Sequence, residues 1–470
     1  MLNWRGGKPV IRFGTSGWRA VISDEFTFAN VRRVTRAVAG VVSRHTGKPA
    51  RLAIGYDTRF LSERFAAEAA KVLTEAGGPT YLSGEPLPTP VLAFAITHLG
   101  LDGGLNVTAS HNPPEYNGLK FSTAQGAPAP REITDQIEAQ LVHVSQDPVA
   151  DQHAELLSLA PREAYFARLR ELVDVDALRA RPLRVGFDAR FGTSRGWLDR
   201  FLEENGATVV RVNDRRDPLF GGGTPECSGA NLNSLKQVVT AEGLDLGLAT
   251  DGDGDRFGVV DSDGKEMSPN MILALLADDL LRTRAWAGGI GRTVATTHLL
   301  DRIGALHGRE LYETPVGFKH FQSLMEKGAI FMGGEESAGF SVAGHVPEKD
   351  GILAGLLVAE LVARRGPGLS AHLRTLFAEI GPLYSQRRDR RFDPESREVL
   401  ESRLKEVPAS LAGESIQRTV SIDGTKWIRH DGAWLMVRLS GPEPVVRLYA
   451  EAADETTVTH LLDQGEALLP

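Results

Sequence analysis

A single cysteine, Cys227, stands among 470 residues, so the chain can form no internal disulfide, and no Cys/His cluster surrounds it to make a zinc ribbon or a redox pair. The bland reading is a structural thiol in a reducing compartment, with a cytoplasmic location expected. No run reaches the 18 or so apolar residues that a membrane span needs, and the N-terminus lacks the uninterrupted apolar core of a secretion signal. Positive charge is also scarce: 53 Lys+Arg face 61 Asp+Glu, for a net charge of −8, which leaves no global attraction to a nucleic-acid backbone. Two nucleotide-binding patterns are missing. There is no G-x-x-x-x-G-K-[ST], and the Gly252-x-Gly254 stretch meets Phe257 where a dinucleotide fingerprint needs glycine.

What the chain does contain is a globular composition, 42% hydrophobic and 24% charged, over a length suited to three or four domains. Short apolar strands alternate with amphipathic helices. Ile54–Asp57 reads as a strand, Leu61–Ala76 as a helix, TYLSG as a strand, PVLAFAITHLG as a helix and GGLNVTAS as a strand ending at Ser110. The rhythm restarts at LRVGFDAR and again at RTVATT, with strands LDLGLATDGDGDR and AIFMGGEESAGF closing the second and third rounds. No residue-level repeat is evident between the rounds, so one architecture used three times is inferred from spacing alone. Alternation of this kind predicts mostly parallel sheets covered by helices. Residues 127–181, with GAPAPRE and two amphipathic segments, read as linker and bridging helices. The last ninety residues change character to antiparallel strands and a terminal helix. The expected fold class is α/β, three similar mixed α/β domains plus a C-terminal α+β domain, with boundaries at 1–155, 156–260, 261–375 and 376–470.

Ligands of open α/β sheets bind at the carboxyl ends of strands. Three such ends are chemically unusual. Thr108-Ala109-Ser110-His111-Asn112-Pro113-Pro114 offers a serine beside an imidazole, a nucleophile or phosphorylation site set against the reading of an ordinary polar turn. It is not a nucleophile elbow, since Thr108 and Asn112 occupy the glycine positions. Asp251-Gly252-Asp253-Gly254-Asp255-Arg256 sets three carboxylates at alternate positions, where they repel unless a hard cation such as Mg²⁺ sits among them. Gly333-Gly334-Glu335-Glu336-Ser337 combines acceptors and a hydroxyl suited to sugar hydroxyls, or makes a surface turn. A fourth loop, Arg438-Leu439-Ser440-Gly441-Pro442-Glu443-Pro444-Val445-Val446-Arg447, flanks a Ser-Gly turn with two guanidiniums able to clamp a phosphate.

In order and spacing, TASHNPPEYNGLK, DGDGDR, GGEESAGF and RLSGPEPVVR resemble the four active-site loops of the α-D-phosphohexomutase superfamily, the phosphoglucomutases and phosphomannomutases. FGTSGWRA with Arg19, GYDTR around Asp57 to Arg59, TPVGFKH with Lys319 and HVPEKDGIL with Lys349 and Asp350 also look like that family. The resemblance implies four domains around a central active-site cleft, a phosphoryl group on Ser110, and Mg²⁺ held by the phosphoserine with Asp251, Asp253 and Asp255. It implies reversible isomerisation of a hexose phosphate through a 1,6-bisphosphate, with glucose 1,6-bisphosphate as activator. Arg19, Arg256 and Lys120 would stabilise charge, Lys120 and Lys319 are the candidate bases, and His111 would orient the phosphoserine. Glu335 and Ser337 would bind the sugar, and Arg438, Ser440 and Arg447 the phosphate that is not transferred. Partners would be small hexose phosphates, with no nucleic acid and no membrane, and the protein a monomer or homodimer.

Pro442 departs from the family's pattern, which has threonine there, and removes a hydroxyl donor and a backbone N–H together. Glu336 favours glucose over mannose or glucosamine by similarity, with phosphopentose also open. Two rivals come from other classes: an aspartyl-nucleophile phosphatase, and a sugar-phosphate-binding protein with little or no turnover.

Overall fold

A computed structural model of the protein describes residues 11–14, 17–144, 154–404, 406–440 and 444–469. The chain divides into two compact units. One runs through Met267 and takes back Gly339–Gly368; the other comprises Ser268–Ala338 and the chain from Leu369 onward.

The first unit contains two sheets. In the first, strands lie in the order Trp18–Val21, Tyr116–Thr123, Gly103–Val107, Leu52–Tyr56, Thr80–Ser83, Leu156–Leu159. The last four are parallel and the first two antiparallel, so the expected parallel core carries an antiparallel margin. The second sheet repeats the plan: Leu246–Thr250, Arg184–Asp188 and Thr208–Val212 are parallel, and Phe257–Asp261 and Glu266–Met267 extend it antiparallel. The central parallel strands are buried on both faces, which is why they read as continuous apolar runs.

The stretch expected to be linker and bridging helices divides: its first part belongs to the first domain, whereas helix Arg162–Leu172 bridges, with Tyr165 against Phe94 and Phe166 against Trp197 and Phe201. Helix Arg131–Leu141 presses Ile137 and Leu141 into the core formed by helix Phe28–Thr46, and Leu156–Leu159 pairs with Thr80–Ser83, carrying the sheet past residue 155. Residues 145–153 lie outside the described residues. Helix Phe28–Thr46 itself is well delimited, by a Thr27 hydroxyl that accepts from Asn30 N and by Gly47 at φ 70°. Helix Gly351–Arg365 packs on the second sheet and is buried nearly all round, consistent with its unbroken apolar sequence.

In the second unit, Leu311–Thr314, Gly289–Thr293 and Ile330–Gly334 form parallel pairs with the middle strand leading in sequence, the third use of the same plan. The stretch from Phe318 to Lys327 forms a 3₁₀ turn, Phe318–His320, and a short helix, Gln322–Glu326. The C-terminal region is an antiparallel sheet in the order Tyr384–Arg391, Val445–Ala452, Trp434–Leu439, Thr425–Arg429, Ile416–Val420, packed under helix Glu455–Ala467. Among the described residues no helix is long and apolar enough to cross a membrane.

Candidate functional site

In each βαβαβ round the third strand ends at one of the unusual loops: Ser110 follows Gly103–Val107, Asp251 follows Leu246–Thr250, and Glu335 follows Ile330–Gly334. The strand expected to reach Ser110 stops at Val107. Ser110 has φ 54°, a left-handed conformation that no strand tolerates, and its N–H is taken by Thr108 Oγ1 at 2.9 Å. The Thr108 hydroxyl in turn donates to the buried carboxylate of Asp57, at 2.7 Å.

The first unit brings Ser110, His111, Asn112, Lys120 and Arg19 together with the aspartate loop. Ser110 Oγ lies 3.3 Å from Asp251 Oδ2 and 3.5 Å from His111 Nδ1. Arg19 Nη1 donates to Asn112 Oδ1 at 2.7 Å. Asp251 Oδ1 accepts from the backbone N–H groups of Asp255 and Arg256, at 3.0 and 3.1 Å, which curls the loop inward. Asp253 Oδ2 accepts from Thr89 Oγ1 at 2.7 Å and Lys120 Nζ at 2.6 Å; Asp255 Oδ2 faces Lys120 at 3.2 Å and Lys349 at 3.1 Å. Arg256 pairs with Glu226 at 3.2 Å. Helix Gly351–Arg365 begins against this loop, Gly351 N donating to Gly254 O; a Cβ at Gly351 would stand 2.3 Å from the carbonyl oxygen of Arg256, so only glycine fits.

These contacts fix the charge states. Burial and the neighbouring Asp255 and Asp253 push Asp251 well above the usual carboxylate range. Asp255 is held low against burial by Lys349, Lys120 and Arg256. Lys120 is raised, its burial outweighed by Asp253 and Asp255, so it is an ammonium donor here rather than a free base. The positive Arg256, then burial, drives His111 well below its ordinary value, leaving a neutral imidazole.

Asp251, Asp253 and Asp255 each offer a carboxylate oxygen, all within 4.8 Å of one another. Asp253 Oδ1 and Asp255 Oδ1 are buried without a hydrogen-bond partner, a costly arrangement in protein alone and a suitable one for a cation. An all-oxygen donor set of this kind fits a hard divalent ion such as Mg²⁺.

The second unit groups the other sequence candidates. Glu335 is buried and its Oε1 accepts from Gly317 N at 3.0 Å, two residues before Lys319 on the 3₁₀ turn. Ser337 sits half-buried in a turn closed by Ala338 N on Glu335 O. Glu336 is held by the hydroxyls of Thr293 and Thr296, at 3.1 and 3.3 Å. Arg438 and Arg447 stand directly opposite each other on neighbouring strands. Asp423 Oδ2 accepts from Arg438 Nε at 2.9 Å and from Val316 N at 3.1 Å, so one carboxylate ties the arginine strand to the Lys319 loop. Ser440 is buried, its N–H on Val445 O at 2.9 Å; Pro442 lies outside the described residues.

Sequence reasoning passed over Thr89, Glu226, Lys349 and Asp423 as members of these clusters. Lys349 had a signal, as part of HVPEKDGIL; Thr89 and Glu226 stand in Pro- and Gly-rich stretches that read as turns, and they reach the site through contacts with distant segments.

Known proteins share these domains. Residues 10–147, 163–264 and 268–380 match phosphoglucomutase/phosphomannomutase α/β/α domains I, II and III, and residues 395–467 match the C-terminal domain. A phosphoglucomutase/phosphomannomutase of Thermococcus kodakarensis is 32% identical over 461 residues, covering 97% of this chain and 98% of that protein. A probable phosphoglucosamine mutase of Methanothermobacter thermautotrophicus is 31% identical, covering 98% of each. A crystal structure described as a phosphomannomutase from Thermus thermophilus superposes with a TM-score of 0.86 at 35% identity, covering 98% of this chain and 99% of that one. With all four domain types present in order and the serine and aspartate loops converging in one place, the chain belongs to the phosphoglucomutase/phosphomannomutase family and is a phosphohexomutase.

Proposed function

We propose that the protein interconverts α-D-glucose 1-phosphate and glucose 6-phosphate through a phosphoserine at Ser110 and a glucose 1,6-bisphosphate intermediate. The observation that carries this is Ser110 Oγ lying 3.3 Å from Asp251 in a buried three-carboxylate loop. In the forward step the Ser110 Oγ–P bond breaks and a bond from phosphorus to the sugar hydroxyl oxygen forms; the hydroxyl gives up its proton and Ser110 Oγ regains one. Return transfer from the other end of the bisphosphate restores the phosphoserine.

Asp251, Asp253 and Asp255, with the phosphoserine, would hold Mg²⁺, which supplies charge stabilisation at the transferring phosphoryl group. Lys120, Arg256 and Arg19 add fixed positive charge around it. His111, neutral and beside Ser110, suits orientation of the serine. With Lys120 committed to two carboxylates, Lys319 is the remaining lysine for the sugar hydroxyl. Glu335 and Ser337 bind the sugar hydroxyls, and Arg438, Ser440 and Arg447 bind the phosphate that is not transferred.

Glucose is favoured by Glu336. A second reading, in which mannose or glucosamine phosphates are also turned over, draws support from the names of the relatives and from Glu336 being occupied by Thr293 and Thr296. A coupled assay with Mg²⁺ and trace glucose 1,6-bisphosphate, comparing glucose, mannose and glucosamine 1-phosphates, separates the two. Equal or faster turnover of mannose or glucosamine 1-phosphate would displace glucose as the preferred substrate.

A further inference from the structure

The leading strands of the first two βαβαβ rounds end in nearly the same six residues: Gly55-Tyr56-Asp57-Thr58-Arg59-Phe60 and Gly186-Phe187-Asp188-Ala189-Arg190-Phe191. This is the residue-level repeat that the sequence rhythm alone did not reveal. Both strands pair directly with the strand that leads to Ser110 or to Asp251. In both, the aspartate Oδ1 accepts the arginine's own backbone N–H, at 3.0 Å for Arg59 and 2.7 Å for Arg190, turning the chain at the strand end. The third round has Gly291-Arg292-Thr293 there and lacks the pair.

Arg59 is fully enclosed, and all its hydrogen-bonding capacity is spent. Nε donates to Asp57 Oδ2 at 3.1 Å. Nη1 donates to the carbonyls of Pro113 and Tyr116, at 2.7 and 3.0 Å, and Nη2 to those of Ser110 and Asn112, both at 2.6 Å. A guanidinium has five N–H donors in a fixed fork, and here four of them grip one seven-residue loop. Phe220 covers the guanidinium at 5.0 Å. A non-glycine residue at positive φ, such as Ser110, persists where its surroundings over-determine it, and this grip does so.

Arg190 acts in the same manner on a different segment. Its Nη1 and Nη2 donate to the carbonyls of Asn231 and Thr224, both at 2.9 Å, and so fasten the strap that carries Pro225 and Glu226. Glu226 holds Arg256, and Pro225 lies so close to Gly252 that a Cβ there would come within 2.8 Å of it.

We propose that Arg59 and Arg190 are a matched pair of positioning residues, Arg59 setting Ser110 and Arg190 setting the Glu226–Arg256 pair beside the aspartate loop, each through backbone carbonyls. What the positioned groups do rests on the function proposed above; the positioning does not.

The test is Arg59→Lys and Arg190→Lys in the full chain, read by steady-state kinetics and by amide hydrogen exchange. Lysine keeps the charge and loses the fork. A displacement of about 1 Å at the reacting group costs about 100-fold in rate, so kcat of Arg59→Lys should fall about 100-fold with KM within about 3-fold. Its exchange should quicken in residues 110–117 and not in 224–231. Arg190→Lys should show the opposite exchange pattern and a smaller fall in kcat, about 10-fold. Should Arg59→Lys not fold, Asp57→Asn keeps the shape while weakening the oxygen that holds both Arg59 Nε and the Thr108 hydroxyl, and should show the same local exchange with about a 10-fold loss of kcat. Unchanged kcat, or exchange rising evenly across the unit, overturns the proposal. A wild-type protein that turns over no hexose phosphate would instead sink the functional reading, and the exchange patterns would still decide the positioning.

Discussion

Ser110, Asp251, Asp253, Asp255 and Lys120 in the first unit are buried and bonded to one another or to backbone, whereas in the second Glu335 and Ser440 are buried but Lys319, Ser337, Arg438 and Arg447 are half-buried, with Arg438 steered from behind by Asp423. Groups that repel one another must be caged to stay close, and caging is what strands, backbone N–H groups and Lys120 do for the aspartates. Groups meant to hold a substrate have to keep donors free for it. On the function proposed above, the difference teaches where rigidity is needed: around the transferred group, more than around the parts of the molecule that are merely held.

The largest way to sharpen this contrast is Ser110→Ala, expected to lower kcat by about 10⁴-fold or more while leaving thermal stability near wild type, measured by coupled assay and by melting. Loss of the cation comes next. Chelation should abolish turnover, and restoring Mg²⁺ should raise the melting temperature, because an ion held by the carboxylate cluster would bind only the folded state; Asp253→Asn should remove most of that rise. In the second unit the effect should move to binding. Arg447→Ala and Glu335→Gln should raise KM about 10- to 100-fold with a smaller change in kcat, as expected where binding is shared by ground and transition states. Equal loss of kcat and kcat/KM in these variants would break the contrast.

The smallest expected effect concerns stability. Lys426 is buried against Trp434 and bonded to Val294 O and His298, and burial pushes it down to about 7. Between about pH 7 and its ordinary value near 10.5 the unfolded chain therefore binds more protons than the folded one, so the folded state gains stability as pH rises through that window, by a few kcal/mol. Lys426→Met should flatten this rise in urea titrations at pH 7 and pH 10.

Much of the architecture was legible because the buried parallel strands and their helices follow simple periodicity; the helix expected at Leu61–Ala76 is found over Ser62–Glu75. The loops bearing Ser110 and the three aspartates were legible because strand ends are where such chemistry must lie. Less legible were features settled by distant contacts. Leu156–Leu159 becomes a strand only because Thr80–Ser83 offers an edge, and Gly351 owes its identity to the carbonyl of Arg256. Arg59 was visible as part of a motif, but its partners are carbonyl oxygens, which any residue possesses and no sequence pattern marks.

The most direct test of the central claim is to incubate the protein with Mg²⁺ and glucose 1,6-bisphosphate carrying radiolabelled phosphoryl groups, then digest it and locate the label. An acid-stable phosphoryl on Ser110, chased off by glucose 1-phosphate and absent in Ser110→Ala, is the expected result. Label that hydroxylamine releases from Asp251 or Asp253, or a protein that binds the sugar phosphate and takes up no label, would contradict it.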